Sequence, residues 1–171
     1  QDRIRLDCPV RSVRREVDSV IIHTEQFGAE TFDQVVIATH SDQALTLLGE
    51  DASKEECARL AAIPYQTNDV VLHTDTRLLP KAKLAWSSWN YHLAVSQSQA
   101  ATLSYNMNIL QGFESDTTYV VTLNQTMMID EKKVLGRYQY AHPTFTLKVM
   151  EAQQRWQEIN GVNNTWFCGA Y

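Results

Sequence analysis

The first forty residues alternate between short β-branched runs and polar turns. The runs at 10–17 and 20–24 are separated by the turn-prone pair Asp18-Ser19, a pattern that predicts a β-hairpin. After a polar turn around Gly28, the run at 32–39 has a continuous apolar centre, which is typical of a strand buried on both faces of a parallel sheet. The pattern therefore predicts an antiparallel excursion that returns to a buried sheet.

Two short helices are predicted next from their capping residues. Ser41 is suited to begin the first helix and Gly49 to end it, with an apolar body between them. Ser53 and Glu56 have capping-box spacing, which predicts the start of a second helix, and Pro64 ends it.

The middle of the chain is strand-like. Five apolar or β-branched runs, separated by polar connections, predict a largely antiparallel sheet of about five strands: 69–74, 84–91, 101–107, 119–124 and 136–141. A final helix is predicted from Pro143 to Ile159, because apolar residues repeat there at helical spacing. Residues 165–170 then predict a returning strand. The expected fold class is α+β, mainly antiparallel sheet with flanking helices.

Composition narrows the class of protein. The 171 residues are 44% hydrophobic and 20% charged, as in soluble globular proteins, and the net charge of −5 argues against sequence-independent nucleic-acid binding. Three widely spaced cysteines predict free thiols in a reducing compartment. No apolar run approaches the roughly 18 residues of a membrane span, so a cytoplasmic protein is expected. The chain begins with Gln1 and stops within a strand-like run, which favours an internal fragment of a longer protein.

Few residues suggest chemistry that the chain could perform alone. Its six glycines include no Gly-x-Gly pair, so neither a dinucleotide fingerprint nor a phosphate-binding loop is predicted. Its five histidines have no partners at the helical spacing of metal ligands, and no metal is expected. In His73-Thr74-Asp75 a carboxylate could orient an imidazole, but a strand-end histidine with a local hydrogen bond is the more frequent arrangement.

Aromatic residues cluster in the middle of the chain. On a strand, Trp89 and Tyr91 would share one face while Trp86 would point to the other. Core packing is one interpretation of these side chains. The other is a pocket for a flat or apolar substrate, which makes Trp86, Trp89 and Tyr91 the candidate substrate-binding residues.

Three segments together resemble a known superfamily. They are Pro9-Val10-x-x-Val13, the run at 32–40 that ends in Ala38-Thr39-His40, and the run at 166–171 that ends in Gly169-Ala170-Tyr171. In this order and spacing they resemble the amine oxidase, phytoene desaturase and protoporphyrinogen oxidase superfamily of flavoproteins. The central segments 73–80, 85–91 and 142–146 look like a bacterial subgroup described as predicted NAD/FAD-binding or amine-oxidase-like proteins.

The resemblance implies FAD as the cofactor of the full-length protein. It implies that the backbone of Val10 contacts the adenine end of FAD, and that the strand ending at Ala38 and Thr39 runs beneath the dinucleotide. It further implies that the turn at Gly169 and Ala170 approaches the phosphate and ribityl region, where a glycine lets the backbone come close. These five are the candidate cofactor-binding residues.

The resemblance also implies a division of the chain and an activity. Residues 1–40 would be a partial FAD domain, 41–160 a substrate domain, and 161–171 a strand returning to the FAD domain. The full-length protein would be an FAD-dependent oxidoreductase acting on a small molecule, with the fragment alone inactive and the electron acceptor unidentified. Related amine oxidases often place a lysine on the strand that 69–74 resembles, and none is present there, so a desaturase-like reaction on an apolar substrate is as well supported as amine oxidation. The alternative is a non-catalytic α+β module that binds a ligand or a protein.

Overall fold

The computed structural model describes residues 3–93 and 102–169. The chain forms two compact units, the first comprising Gln1–Tyr65 and Pro143–Tyr171 and the second Gln66–His142. These units have other bounds than the three predicted segments 1–40, 41–160 and 161–171, whose assignment to a FAD domain and a substrate domain stays a prediction.

The regular elements are ten strands and four helices in the described residues. The strands are β1 Val10–Arg15, β2 Val20–Thr24, β3 Gly28–Phe32, β4 Val35–Ile37, β5 Tyr65–His73, β6 Trp89–Tyr91, β7 Leu103–Asn106, β8 Val120–Leu123, β9 Val134–Pro143 and β10 Thr165–Phe167. The helices are α1 Ser41–Leu48, α2 Lys54–Leu60, α3 Met107–Gln111 and α4 Leu147–Gln154. The predicted α+β class is confirmed.

In the first unit, β1, β2 and β3 form an antiparallel sheet in that order. The hairpin predicted from the β-branched runs is confirmed, with Val13 opposite Ile22. The third strand was not predicted, because the alternation after Gly28 is too polar to distinguish from a turn. Gly28 pairs with Thr24 and has a φ of +68°, a conformation that glycine adopts without steric cost.

β4 and β10 form a two-stranded parallel sheet, with Val35 opposite Thr165 and Ile37 opposite Phe167. The returning strand and its parallel pairing are therefore observed. The prediction that 32–39 is a strand buried on both faces is wrong, since β4 is three residues long and Val36 is 60% exposed. Only the side of β4 that carries Ile37 packs on the core, and the alternate side chain of a strand necessarily points the other way.

One apolar core joins both sheets of the first unit to its helices. It is built from eight buried side chains: Val13, Val20, Ile37, Ala44, Leu48, Leu60, Ile159 and Phe167. The capping box of α2 is observed, with Glu56 N–H donating to Ser53 Oγ over 3.1 Å. Two predicted helix limits are corrected: His40, not Ser41, is the N-cap of α1, and α2 ends at Leu60, four residues before Pro64.

The last helix is shorter than its apolar spacing predicted. Pro143 is the final residue of β9, and α4 begins after Thr146, whose Oγ1 accepts from the N–H of Val149. Thr144 remains extended because its N–H donates to the carbonyl of Pro64. Phe145 consequently lies outside the helix and is 64% exposed, whereas Val149 in the helix is buried.

A buried ion pair connects β1 to α2. Arg15 Nη2 donates to Glu56 Oε2 over 3.0 Å, and the two side chains are 5% and 1% exposed. The Arg15 backbone N–H also donates to Asp51 Oδ2 over 2.7 Å. The Arg15 side chain is therefore part of the interior of the first unit, although it lies on a strand at the edge of its sheet.

The second unit contains a five-stranded sheet in the order β6-β7-β8-β5-β9. Its pairings of β6 with β7, β7 with β8, and β8 with β5 are antiparallel, which confirms the predicted sheet. The strand predicted at 84–91 is reduced to β6, because 83–85 form a 3₁₀ turn and Asn90 donates back to the carbonyl of Ser87.

The interior of the second unit combines apolar and polar side chains. Its apolar cluster consists of Val71, Leu78 and Ile129, with Val134 packed against it. Val70, Leu79, Val120 and Leu123 are also buried. The buried polar or charged side chains include His73, Asp75, Asn90, Ser104, Asn106 and Thr122. Such groups must be hydrogen-bonded when they are removed from water, so this unit depends on its polar pairings for stability.

Asp75 is the main charged group of that interior. Its carboxylate is fully buried and accepts from the backbone N–H groups of Arg77 and Asp130 at 3.2 and 3.0 Å, and from Arg77 Nε at 2.9 Å. These bonds hold the connection after β5 against the connection before β9. The hydrogen bond from Arg77 holds the pKa of Asp75 far below its ordinary value, and burial opposes that shift without reversing it.

We expect Asp75→Asn to destabilise the second unit by about 2–3 kcal/mol, because an amide supplies one weaker acceptor where the carboxylate accepts from several donors. The folded-state pKa is lowered, so the carboxylate's contribution is complete above the unfolded pKa of about 3.9 and is lost as pH falls below it. Amide hydrogen exchange in β5 and β8 measures both effects. Asp69→Asn, an exposed change in the same strand, is the control and should cost under about 0.5 kcal/mol; equal losses in the two variants would contradict this role for Asp75.

No helix among residues 3–93 and 102–169 is both long and apolar enough to cross a bilayer.

Cys8, Cys57 and Cys168 are free thiols, as predicted.

Candidate functional site

The carboxyl ends of the two parallel strands lie side by side in the first unit. Ala38 and Thr39 follow β4, and Cys168 and Gly169 follow β10. The backbone N–H of Cys168 donates to the carbonyl of Ile37 over 3.0 Å, which keeps the two chain segments in register beyond the strands. Ligands of open α/β sheets bind beyond the carboxyl ends of parallel strands, so this edge is a physically reasonable place for a cofactor.

A cavity of about 580 Å³ opens beside this edge. Val10, Ala38 and Thr39, three of the predicted cofactor-binding residues, all line it. Its walls come from the start of β1, from β4 and the residues after it, and from one side of α1. The structure therefore brings Val10 to the same cavity as Ala38 and Thr39, which follow it in the sequence by 28 and 29 positions.

The cavity is chiefly apolar. Pro9, Val13, Ile22, Val35, Val36, Ile37 and Leu47 contribute hydrocarbon, and Gln43 and Thr46 of α1 add polar side chains. Thr46 Oγ1 already donates to the carbonyl of Asp42 over 3.0 Å. An apolar cleft with few polar groups is the usual form of a small-molecule or cofactor site.

The start of α1 is fixed at the rim of the cavity. The imidazole of His40 stacks on the ring of Tyr65 with 4.4 Å between ring centroids and 16° between planes. The N–H of Ser41 donates to the Tyr65 hydroxyl over 2.9 Å, and the N–H of His40 donates to Gln43 Oε1 over 3.2 Å. The helix that carries the polar side of the cavity is thus held in place by Tyr65 and by its own first turn.

The remaining predicted cofactor residues are Gly169 and Ala170. Gly169 is half-buried and lies two residues beyond β10, next in the chain to the Cys168 that bonds β4. It is not among the residues that line the cavity. Ala170 lies outside the described residues. Contact of any of these residues with FAD stays a prediction.

The predicted substrate residues are all in the second unit. Trp89 and Tyr91 share one face of β6, as predicted, and each is 63% exposed. Trp86 is not on a strand: it follows the 3₁₀ turn at 83–85, and its indole N–H donates to the carbonyl of Pro80 over 2.8 Å. The interpretation of Trp89 and Tyr91 as core residues is wrong, because the core side of β6 carries Asn90.

Trp89 and Tyr91 belong to a larger aromatic face of the five-stranded sheet. Trp89 lies opposite Tyr105, and their rings form an edge-to-face pair with centroids 5.5 Å apart. Tyr105 and Tyr140 line one shallow cavity of about 250 Å³ together with Val70, Val121 and Leu123. Tyr140 also stacks on Tyr138 at 5.9 Å. Exposed apolar patches of this kind mark binding surfaces in soluble proteins.

The sequence His73-Thr74-Asp75 does not form a carboxylate–imidazole pair. His73 Nδ1 accepts from the backbone N–H of Asp75 over 3.0 Å, whereas the Asp75 carboxylate is bonded to Arg77. Burial lowers the pKa of His73, and the nearby Asp75 charge opposes the shift. The interpretation as a strand-end histidine with a local hydrogen bond is confirmed.

Sequence reasoning missed the contribution of α1 to the cavity. The caps predicted the helix, and its apolar residues predicted a buried side, but nothing local indicated that Gln43, Thr46 and Leu47 would face β4. A helix that follows a buried strand directly at the strand's carboxyl end is the one signal that could have pointed to them.

A comparison with known protein families shows to which family this chain belongs. The model of the family described as flavin containing amine oxidoreductases matches residues 1–135, which is 135 of 171 residues. The chain belongs to this family. The resemblance to this superfamily, inferred in part from Val10 and from the run ending at Thr39, is thereby confirmed at the level of the family. A flavin is the cofactor that the family's description names.

Several solved structures are similar in fold to nearly the whole chain. A CLA-producing fatty acid isomerase from P. acnes superposes with a TM-score of 0.61 at 14% identity, over 95% of this chain and 42% of that one. Cyclohexylamine oxidase from Brevibacterium oxydans IH-35A gives 0.55 at 12% identity, over 98% and 43%. A double mutant of putrescine oxidase gives 0.57 at 9% identity, over 95% and 42%. No protein of curated function matches significantly.

These identities establish a shared fold and nothing finer. The chain spans less than half the length of each of these structures. The residues present nevertheless suit part of a flavin dinucleotide: Val10 and Val36 expose apolar side chains at a cleft whose floor is the carboxyl end of a parallel strand. The glycines include no Gly-x-Gly pair for a pyrophosphate.

Proposed function

We propose that the chain is the substrate-side part of an FAD-dependent oxidoreductase, in which the first unit holds one section of FAD. The observation that carries this proposal is the cavity shared by Val10, Ala38 and Thr39 beside the paired ends of β4 and β10. Membership of a flavin-containing family supports a flavin there, and the strand-end position supports a dinucleotide.

In this proposal each element has one task. Val10 and its neighbours on β1 cover the adenine end of FAD, Ala38 and Thr39 lie beneath the dinucleotide, and Gly169 and Ala170 allow the chain after β10 to approach its phosphate and ribityl part. The apolar walls exclude water from the bound group. Bound flavin supplies hydride-accepting chemistry.

The aromatic face of the second unit is the proposed place for an apolar substrate. Trp89 and Tyr91 present their rings to solvent on one side of β6, and Tyr105 and Tyr140 continue that surface. β5 covers the strand predicted at 69–74 and contains no lysine, so a desaturase-like reaction is as well supported as amine oxidation. Trp86 supports the turn before β6 and contributes to the site through that strand.

The visible spectrum of the protein produced from its complete gene tests the proposal. We expect a yellow preparation with flavin absorbance bands, from which FAD rather than FMN is released on denaturation. Addition of an apolar substrate without oxygen should bleach those bands, because the flavin becomes reduced. A colourless protein that takes up no added FAD would reject the enzyme and favour the alternative, a non-catalytic module that binds ligands on its aromatic face.

A further inference from the structure

Four side chains of the second unit form an unbroken line of hydrogen bonds across its sheet. His73 Nε2 lies 2.8 Å from Thr122 Oγ1, Thr122 Oγ1 lies 2.7 Å from Ser104 Oγ, and Ser104 Oγ lies 3.0 Å from His92 Nε2. The order of the strands explains the line, since β5, β8 and β7 are neighbours and His92 directly follows β6. We call these four residues the histidine ladder.

The ladder runs from the interior toward the edge of the sheet. His73, Ser104 and Thr122 are buried, with at most 1% of each residue exposed, whereas His92 is half-buried. At the edge, the N–H of His92 donates to the carbonyl of Thr102 over 3.0 Å, and the Thr102 hydroxyl donates to the carbonyl of His92 over 2.9 Å. His92 thus links the ladder to the pairing of β6 with β7.

The direction of every hydrogen bond in the ladder is determined from its inner end. His73 Nδ1 accepts from the Asp75 backbone N–H, so a neutral His73 carries its proton on Nε2 and donates it to Thr122. Thr122 Oγ1 contacts His73 Nε2 and Ser104 Oγ, so Ser104 is the acceptor left for the Thr122 hydrogen, and Ser104 in turn donates to His92 Nε2. His92 must therefore present a lone pair at Nε2, which requires its neutral form with the proton on Nδ1.

A second proton on His92 is incompatible with this direction. Nε2 of a protonated imidazole is a donor, so it would face the hydrogen that Ser104 donates. Reversal of the whole ladder only moves the conflict, because His73 would then need its proton on Nδ1, where the Asp75 N–H already points. In both of these cases one link joins two donors. If Ser104 alone turns, so that it accepts from His92 and donates to Thr122, the buried Thr122 hydroxyl loses the acceptor for its own hydrogen. A buried group that loses its acceptor is costly, so each arrangement with a protonated His92 is destabilised.

The charged group that affects the pKa of a ladder residue is Asp75, at the inner end beside His73. Asp75 stands beside His73 and is itself paired with Arg77 and with Lys133, whose Nζ lies 3.8 Å from its carboxylate. Burial lowers the pKa of His73 despite the Asp75 charge, and burial is the cause that lowers the pKa of His92. Both folded-state values lie below the unfolded value of about 6.5, so the ladder's stabilisation is complete above that pH and is lost as pH falls below it.

We propose that the histidine ladder is a pH-sensitive switch: it holds the β6 edge on the sheet while both imidazoles are neutral, and it releases that edge when His92 is protonated. The switch requires no flavin, because all of its parts lie in the second unit. Its physical basis is the fixed direction of four hydrogen bonds between two titratable ends.

Nuclear magnetic resonance on the full chain tests both the direction and the switch. Imidazole ¹⁵N shifts at pH 7.5 should show His73 protonated on Nε2 and His92 protonated on Nδ1. Amide exchange in β6 and β7, corrected for the intrinsic rate at each pH, should show the opening equilibrium rising about tenfold between pH 7.5 and 5, the equivalent of one pKa unit. His92→Gln keeps an acceptor that does not titrate, so it should lower this rise by the share that comes from His92 and leave the share that comes from His73.

His23→Gln is the matched control, because His23 is an exposed histidine of β2 in the other unit; this variant should keep the full rise. The proposal is overturned if His92→Gln opens with the same pH dependence as the original chain. It is equally overturned if the ¹⁵N shifts place the His73 proton on Nδ1 or the His92 proton on Nε2, a measurement that needs no variant to fold.

Discussion

Replacement of Glu56 by alanine is expected to lower the free energy of unfolding of the first compact unit by about 3–5 kcal/mol. Glu56 is 1% exposed and pairs with Arg15, so its removal leaves a buried guanidinium without its carboxylate. The same carboxylate accepts from the N–H of Ser53 over 2.7 Å, so the side-chain half of the α2 capping box is lost as well. Amide exchange in β1 and α1, whose buried residues share one core, measures the loss.

Two further variants separate the buried charge from the helix. Glu55→Ala removes an exposed carboxylate one position away and should cost under about 0.5 kcal/mol. Arg15→Met combined with Glu56→Leu replaces both charges by hydrocarbon, and it should recover at least about half of the loss, because a buried pair contributes little more than well-packed apolar side chains. A cost below about 1 kcal/mol for Glu56→Ala would mean that water reaches Arg15 and solvates it.

Features with a local cause could be predicted from the sequence. The hairpin follows from two β-branched runs around Asp18-Ser19, and the start of α2 follows from Ser53 and Glu56 three residues apart. The returning strand at the end of the chain follows from its β-branched and aromatic residues. In each case residues within one turn or one strand supply both the signal and the hydrogen bond that realises it.

Elements whose limits depend on distant contacts could not be predicted. The apolar spacing from Phe145 to Ile159 is helical throughout, yet α4 begins only after Thr146, because the N–H of Thr144 bonds the carbonyl of Pro64, 80 residues earlier. The exposure of Val36 is a similar case, since burial of a strand depends on how many neighbours its sheet has.

The cavity beside β4 and the histidine ladder also differ in how far the sequence could predict them. The resemblance of three short segments indicated Val10, Ala38 and Thr39, and the structure brings them to one cavity. The histidine ladder had no such indication, because its members are 12 or more positions apart in the sequence and become neighbours only through the strand order β6-β7-β8-β5. Spacing rules for metal ligands and triads do not detect a line of hydrogen bonds that crosses four strands.

Substitution of Ala38 by tryptophan should abolish flavin binding by the protein from the complete gene while leaving its fold intact. Ala38 is exposed and lines the proposed FAD cavity, so an indole there has room to be accommodated without displacing the core and fills space that the dinucleotide needs. We expect the Kd for FAD to rise at least about 100-fold, the equivalent of roughly 2.7 kcal/mol. Flavin absorbance after gel filtration and titration of the apoprotein with FAD measure the change.

Ala29→Trp provides the comparison, because Ala29 is also an exposed alanine of the first unit and lies on β3, away from this cavity. It should keep its flavin and its visible spectrum. If Ala38→Trp retained full flavin content with unchanged affinity, the dinucleotide could not pass beside the end of β4, and the parallel pair of β4 and β10 would serve the fold rather than the cofactor. If both variants lost flavin and also lost near-ultraviolet circular dichroism, the cause would be the fold of the first unit, so the spectrum is compared only between variants that retain that signal.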